Sequence, residues 1–276
     1  MKTCVEVSAY VPCHNQRSTV GRAVAALSQQ TARVSEVFVV DDGSTDGLAS
    51  EVEGARVIRL GTNRGRGAAR ARAMEEARYE LVACCDATNT LAADFVSRAL
   101  PWFEDAAVAG VYGRIWSRRQ DTVAARWRSR HLFKDGVEAP PRRHALLATY
   151  GCLLRRSAVM AVGNFNPAHR HSEDAELGLR LLAAGYDVVS DPSLRVESLS
   201  TDSLFAVLNR YWRWNAGAQE QVSWRSYLKT IRYAAGGMAR DDLRAGDVSA
   251  MMVSLFCPHY QFWRSWFRRR AGRVQR

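Results

Sequence analysis

Val37-Phe38-Val39-Val40-Asp41-Asp42-Gly43-Ser44 is the stretch whose reading decides the fold: a β-branched run that stops abruptly in acidic, turn-forming residues. The construction recurs. Upstream, Val5 to Val11 is apolar and is broken by Pro12, after which Ser18 caps a helical pattern through Val20, Val24 and Leu27. Downstream, Val57 to Leu60 stops at Gly61-Thr62-Asn63, Gly67 to Arg78 is an Ala- and Arg-rich helix former, and Leu81 to Cys85 ends at Asp86. Ala93 to Phe103 reads as a helix interrupted by Pro101, and Ala106 to Tyr112 as a further strand. Strands alternating with helices imply an α/β protein with a mostly parallel sheet covered on both faces. Ligands of such sheets collect beyond the carboxyl ends of the strands. His14 to Arg17, Asp41 to Asp46, Thr62 to Arg66 and Asp86 to Thr90 all occupy such ends, so four polar loops should converge on one cleft.

The second half is less regular. Gly113 to His144 is basic and reads as an insertion, with order returning at Thr149 to Leu154. A helix follows from about Asp174 to Ala184, ended by Gly185, then a strand near Val188-Val189 and an amphipathic helix from Ser203 to Trp214. Phe262-Trp263-Arg264-Ser265-Trp266-Phe267-Arg268-Arg269-Arg270 interleaves aromatic and basic residues, as at membrane interfaces or on single-stranded nucleic acid.

At 276 residues, 47% hydrophobic and 24% charged, the chain has the balance of a folded globular protein. A formal charge of +11 admits nucleic acid, anionic lipid or phosphorylated small molecules as partners, or simply a solvated basic face. The excess is largely Arg, which suits bidentate phosphate contacts. Six cysteines without metal-ligand spacing read as reduced core residues. With no signal-peptide pattern and no apolar run of transmembrane length, the expectation is a cytoplasmic protein, peripheral at the inner face of the membrane.

Taken together, these segments resemble family 2 glycosyltransferases of the GT-A fold, from about Val5 to Ala216. Val11-Pro12-Cys13-His14-Asn15 is similar to the family's first strand and donor loop, and Val39 to Gly47 to its most recognisable motif. Asn63-Arg64-Gly65 with Ala68-Ala69-Arg70 matches the segment after the third strand, where an Arg lies near the donor diphosphate. Asp86-Ala87-Thr88-Asn89 stands at the Asp-x-Asp motif, and Ser172-Glu173-Asp174 at the acidic pair that supplies the base. Arg210-Tyr211-Trp212-Arg213-Trp214 resembles an element of polymerising and lipid-acceptor members.

The resemblance implies an inverting, hexosyl-type transferase in which residues 1–216 form the catalytic domain. Residues 1–112 would bind donor, 113–216 acceptor, and 217–276 would be a basic, aromatic helical extension. Pro12, Asn15, Asp41, Asp42, Ser44, Asn63, Arg70 and Asp86 are the expected donor contacts, with Arg66 a second cation for the diphosphate. A UDP-sugar is the expected donor, a saccharide or lipid-linked molecule the acceptor, and the tail a membrane contact; nucleic acid is not an expected partner. Asp174 is the expected general base, in the company of Glu173, Arg210, Arg213 and Trp214 on the acceptor side; the plain alternative is that the acidic pair caps a helix. A divalent cation, Mn2+ or Mg2+, would sit at Asp86. Here the chain departs from the family: Thr88 and Asn89 stand where a second Asp is usual, and hard cations prefer carboxylate oxygens. A weakly held metal, a transferase relying on Arg side chains, and a catalytically inactive nucleotide-sugar or glycan-binding protein are the three outcomes left open.

Overall fold

Of the chain, the computed structural model describes residues 5–48, 51–216 and 223–273, apart from the side chains of 51, 213–216 and 268–273. Two compact units emerge, one of residues 1–116 with 137–200 and one of 117–136 with 201–276.

The first unit opens with β1 (Val7–Cys13), α1 (Arg17–Ser28), β2 (Val34–Asp41), β3 (Glu51–Val52), β4 (Ala55–Arg59) and α2 (Arg66–Glu76). It continues through β5 (Leu81–Cys85), β6 (Asn89–Leu91), α3 (Phe95–Ala99) and β7 (Val108–Trp116). After α4 (Val123–Arg128), which belongs to the second unit, come β8 (Gly151–Arg155), α5 (Arg156–Ala161), α6 (Glu173–Ala183) and β9 (Asp187–Ser198). The nine described strands form one sheet in the order β3-β4-β2-β1-β5-β8-β7-β9-β6.

Parallel pairing runs from β4 through β2 and β1 to β5, and the central β1 and β5 are buried along nearly their whole length. Antiparallel pairing enters at β8, which lies between β5 and β7. That reversal matters for function. Because β8 runs against β5, Gly151 lies opposite Cys85, and the chain just before it meets the carboxyl end of β5: Asp86 N–H donates to Tyr150 O at 3.3 Å.

Local departures from the sequence reading have local causes. Strand β1 continues through Pro12 to Cys13 because its pairing with β5 has already ended at Tyr10, so no hydrogen bond on that side needs the missing N–H. The helix expected from Ala93 is α-helical only over α3, then tightens to a 3-10 turn at Leu100–Glu104 around Pro101.

The second unit is helical, with α7 (Leu204–Ala216), α8 (Trp224–Tyr233), α9 (Ala239–Arg244) and α10 (Val248–Arg273) joining α4. Trp127 is fully buried among Val207, Leu208, Tyr211 and Met238, and its indole N–H donates to Ser254 Oγ at 2.8 Å. Buried Asp242 accepts from Arg130, from His131 at 2.8 Å and from Ser254 at 2.5 Å. The basic stretch read as an irregular insertion is therefore in part a core helix. Its apolar partners lie some 80 residues downstream, out of range of any local pattern. The unit boundary accordingly falls at 200/201, with 117–136 on the far side, rather than at the expected 216/217.

Two glycines test the packing from opposite sides. A Cβ on Gly67 would stand 2.3 Å from Asn166 O and 2.6 Å from His169 O, both backbone atoms, whereas one on Gly21 meets nothing within 4 Å. Gly67→Ala should destabilise the fold by about 1–3 kcal/mol, and Gly21→Ala, in mid-helix, should stabilise it by about 0.5–1 kcal/mol, as read by denaturant unfolding.

Candidate active site

At the carboxyl ends of β1, β2 and β5 the first unit holds a cavity of about 300 Å³, within the size range of small-molecule sites. Pro12, Cys13, His14 and Gln16 form one wall, and Asp42 and Asn63 another. Gly65, Arg66 and Ala69 line it from the start of α2; Asp86, Ala87 and Thr88 line it from the end of β5; Arg170 and His171 close it from the segment before α6.

The loops are stitched together by the residues that motif matching assigned to ligand. Asn15, in the left-handed region at φ 54°, donates its N–H to Ser44 Oγ at 2.9 Å and accepts Thr45 N–H at 2.8 Å through Oδ1. Asp41 is buried and accepts Ser44 N–H at 3.0 Å, closing its own turn. Asp42 borders the cavity, but its two oxygens accept the Arg64 and Gly65 N–H groups, each at 2.7 Å. Asp41, Asn15 and Ser44 thus shape the wall without lining it, while Pro12, Asp42, Asn63 and Asp86 line it as expected.

Arg70 is placed differently from the sequence expectation. It is 1% exposed, and its guanidinium lies beneath the cavity instead of facing into it. Nη2 donates to Asp86 Oδ1 at 2.7 Å and Nε to Glu173 Oε1 at 3.0 Å, while Nη1 reaches Cys84 Sγ at 2.8 Å and Thr149 O at 3.5 Å. Burial works against its charge, but Cys84, Tyr10, Asp86 and Glu173 around it hold the pKa well above the usual guanidinium value. It is a fully engaged internal cation, unavailable to a diphosphate. Glu173, also 1% exposed, is likewise withdrawn from the acceptor side by this bond. Small residues make the burial possible: Ala68, Ala69 and Ala71 flank Arg70 on α2 and leave room for its side chain to run inward.

Asp174 follows Glu173 in the first turn of α6, whose N-cap, Ser172, has a left-handed φ of 59° and makes no side-chain cap. The Asp174 carboxylate accepts from Thr149 Oγ1 at 3.5 Å and from Ala175 N–H at 2.9 Å. Burial, and next the negative charge of Glu173, push its carboxyl above the ordinary range, against the pull of Arg70. A carboxylate so raised is a stronger proton acceptor than a solvent-exposed one. The Cys13 thiol, pushed up to about 11 by burial, is no nucleophile near neutral pH.

The cation expected at Asp86 meets a poor donor set. Asp42 accepts one main-chain N–H on each of its oxygens, Asp86 shares one oxygen with Arg70, and Thr88 is neutral. Asn89 turns away, donating to Tyr150 O at 3.0 Å. Among the described residues no three His, Cys, Asp or Glu side chains converge as a metal site. Alone, these side chains offer a Mg2+ or Mn2+ ion little beyond the second oxygen of Asp86, so a bound ion would take most of its ligands from the diphosphate and water. Arg170 escaped the motif reading; the His169-Arg170-His171 run ahead of the acidic pair was its signal. Arg210 lies in the second unit, paired with Asp202 at 2.9 Å, while the side chains of Arg213 and Trp214 lie outside the described residues.

The model of the family described as glycosyl transferase family 2 matches residues 8–163. A pre-mycofactocin glycosyltransferase of Mycobacterium tuberculosis is 29% identical over 68% of this chain and 41% of its own length. An undecaprenyl-phosphate 4-deoxy-4-formamido-L-arabinose transferase of Pseudomonas aeruginosa is 30% identical over 56% of this chain and 49% of its own. The chain thus spans less than half the length of these two relatives. In fold it is similar to a mannosyltransferase from Pyrobaculum calidifontis solved with GDP-Man and Mn2+: TM-score 0.56, 15% identity, 97% of this chain and 75% of that one.

Removing one member of the buried triad leaves charge uncompensated. Arg70→Met should cost about 3–5 kcal/mol. Arg70→Met combined with Glu173→Gln should cost clearly less than the sum of the two single changes, a non-additivity read from denaturant unfolding of all four proteins.

Proposed function

Because the chain belongs to glycosyl transferase family 2, we propose that it transfers a sugar from a nucleoside diphosphate donor, UDP-linked by preference, to a hydroxyl of a saccharide or lipid-linked acceptor. The observation that carries this reading is Asp174: a desolvated carboxylate, raised in pKa, one residue from the Glu173–Arg70–Asp86 chain that ends on the cavity wall.

The donor nucleoside and diphosphate occupy the cavity, against Pro12, Asp42 and Asn63. The acceptor oxygen attacks the anomeric carbon from the face opposite the diphosphate, forming the new C–O bond as the bond to the β-phosphate oxygen breaks. The leaving electron pair stays on that oxygen, and the acceptor proton passes to the Asp174 carboxylate. Single displacement inverts the anomeric centre. The printed name of the Pseudomonas relative includes undecaprenyl phosphate, which supports a lipid-linked acceptor; on such a lipid the attacking atom would be a phosphate oxygen, with no hydroxyl proton for Asp174 to take.

Charge supports contact with an anionic membrane. The second unit contains nineteen Arg and Lys against seven Asp and Glu, a formal +12, whereas the first unit is close to neutral at −1. On α10, Met252, Phe256, Trp263 and Phe267 are all exposed, and their spacing of 4, 7 and 4 puts them on one narrow stripe. An apolar stripe on a strongly basic helical unit suits an interfacial position. Among the described residues no helix is long and apolar enough to cross a membrane.

Two measurements test these readings. In a panel of UDP- and GDP-sugars, Asp174→Asn should lower turnover by about 10²- to 10⁴-fold while nucleotide binding persists. The acid limb of kcat/KM in the native protein should lie above the ordinary carboxylate range. The sign for stability is opposite to that for activity. A carboxyl raised on folding stabilises at low pH, and that contribution is lost as pH rises through the folded pKa, so Asp174→Asn should leave stability at pH 7 unchanged or higher. Binding of nucleotide with no turnover of any sugar in the native protein would instead favour the inactive binding protein. For the membrane, the protein should sediment with vesicles of phosphatidylglycerol and phosphatidylcholine but not of phosphatidylcholine alone, and Trp263→Ser with Phe267→Ser should weaken that binding.

A further inference from the structure

Any donor diphosphate brings negative charge into the cavity, and more accumulates on the leaving oxygen as the glycosidic bond breaks. The neighbouring fold with Mn2+ is one solution to that problem, but the carboxylates it would need here are absent or committed: Asp42 to two N–H groups, Asp86 in part to Arg70. The cavity offers cations instead. Arg66 and Arg170 both line it and both are exposed.

Their placement is built, not incidental. Arg66 is the first residue of α2, immediately after Gly65, which is held at φ 98° with its N–H bound to Asp42. Arg170 lies directly against that turn: a Cβ on Gly65 would come within 2.9 Å of Arg170 Cα and Cγ. Gly67 N–H donates to His169 O at 3.0 Å, pinning the segment that carries Arg170 to the first turn of α2. The Arg170 guanidinium donates to Asn63 O at 3.2 Å and to Asn63 Oδ1, so it is oriented along the cavity rim. Arg66 makes no side-chain hydrogen bond or ion pair among the described residues, leaving its donors for a ligand. Two arginines, one from the first turn of α2 and one from the segment before α6, thus line one cavity that holds no uncommitted pair of carboxylates.

We propose that Arg66 and Arg170 take the place of a divalent cation in this protein, binding the diphosphate and stabilising the charge on its departing oxygen without a protein-held metal. The inference rests on the transferase reading for its kinetic part only. Guanidiniums can make paired N–H contacts to phosphate oxygens, a geometry that a single Asp86-bound ion would not need. Thr88 is then no defect: a second Asp there would repel the same diphosphate that the arginines attract.

The test begins with binding, which does not require turnover. Calorimetric titration with UDP and GDP, in EDTA and again with Mn2+, should give affinities equal within about twofold. Arg66→Gln and Arg170→Gln should each weaken nucleotide binding by on the order of tenfold or more in EDTA, as expected for loss of a charge-assisted contact. Thr88→Asp should weaken binding in EDTA and make it respond to Mn2+. Where a nucleotide sugar is turned over, EDTA should leave the rate within twofold, and the two arginine variants should lower kcat. Nucleotide binding that collapses in EDTA and returns with Mn2+ would overturn the proposal, as would unchanged affinity in both arginine variants. Metal-independent, arginine-dependent binding without turnover would uphold it while refuting the transferase reading, so the two fail separately. Because Arg66 is exposed at a helix start, its variant should fold; unfolding curves for each protein verify this.

Discussion

Arg70 reaches Asp86 at the end of β5 and Glu173 at the start of α6 from a position with almost no access to water, and much of the site depends on that contact. A guanidinium is costly to bury unless its donors are satisfied and its charge balanced. Both conditions are met only when α2, which carries Arg70, stands against β5, α6 and the segment before β8, because the partners come from those three. The ion cluster therefore fixes geometry: it ties the wall of the cavity at Asp86 to the helix whose next residue is Asp174.

After burial, the same cluster is what bears most on the electrostatics of Asp174. Glu173 neutralises Arg70 and in doing so leaves Asp174 beside a second negative group in a desolvated place, which raises its carboxyl. Had Arg70 faced the cavity, Glu173 would have been left a buried anion without a counter-charge. Arg66 and Arg170 escape this constraint because both are exposed, one at the start of α2 and one in the segment before α6. Inward Arg70 thus holds the frame, while the outward Arg66 and Arg170 line the cavity.

Charge is divided on a larger scale as well. The near-neutral first unit carries the cavity, and the second carries essentially the whole positive excess together with the exposed aromatic stripe of α10. A net charge of +11 read over the whole chain had several partners open to it; its confinement to one unit is what gives the excess a direction.

Sequence alone determined the five longer strands of the first 112 residues and the family it resembles, because apolar runs and turn residues are local signals of burial and chain reversal; the short strands β3 and β6 carry no such run and are not legible in it. It also singled out Asp42, Asn63, Asp86 and Asp174. Tertiary structure decided what each side chain faces. Arg70 and Arg66 lie four residues apart on one helix of similar composition, and no local pattern tells the inward from the outward one. Likewise Trp127 entered a core made by residues far downstream. Burial is a property of what packs against a residue, and those partners are distant in the chain.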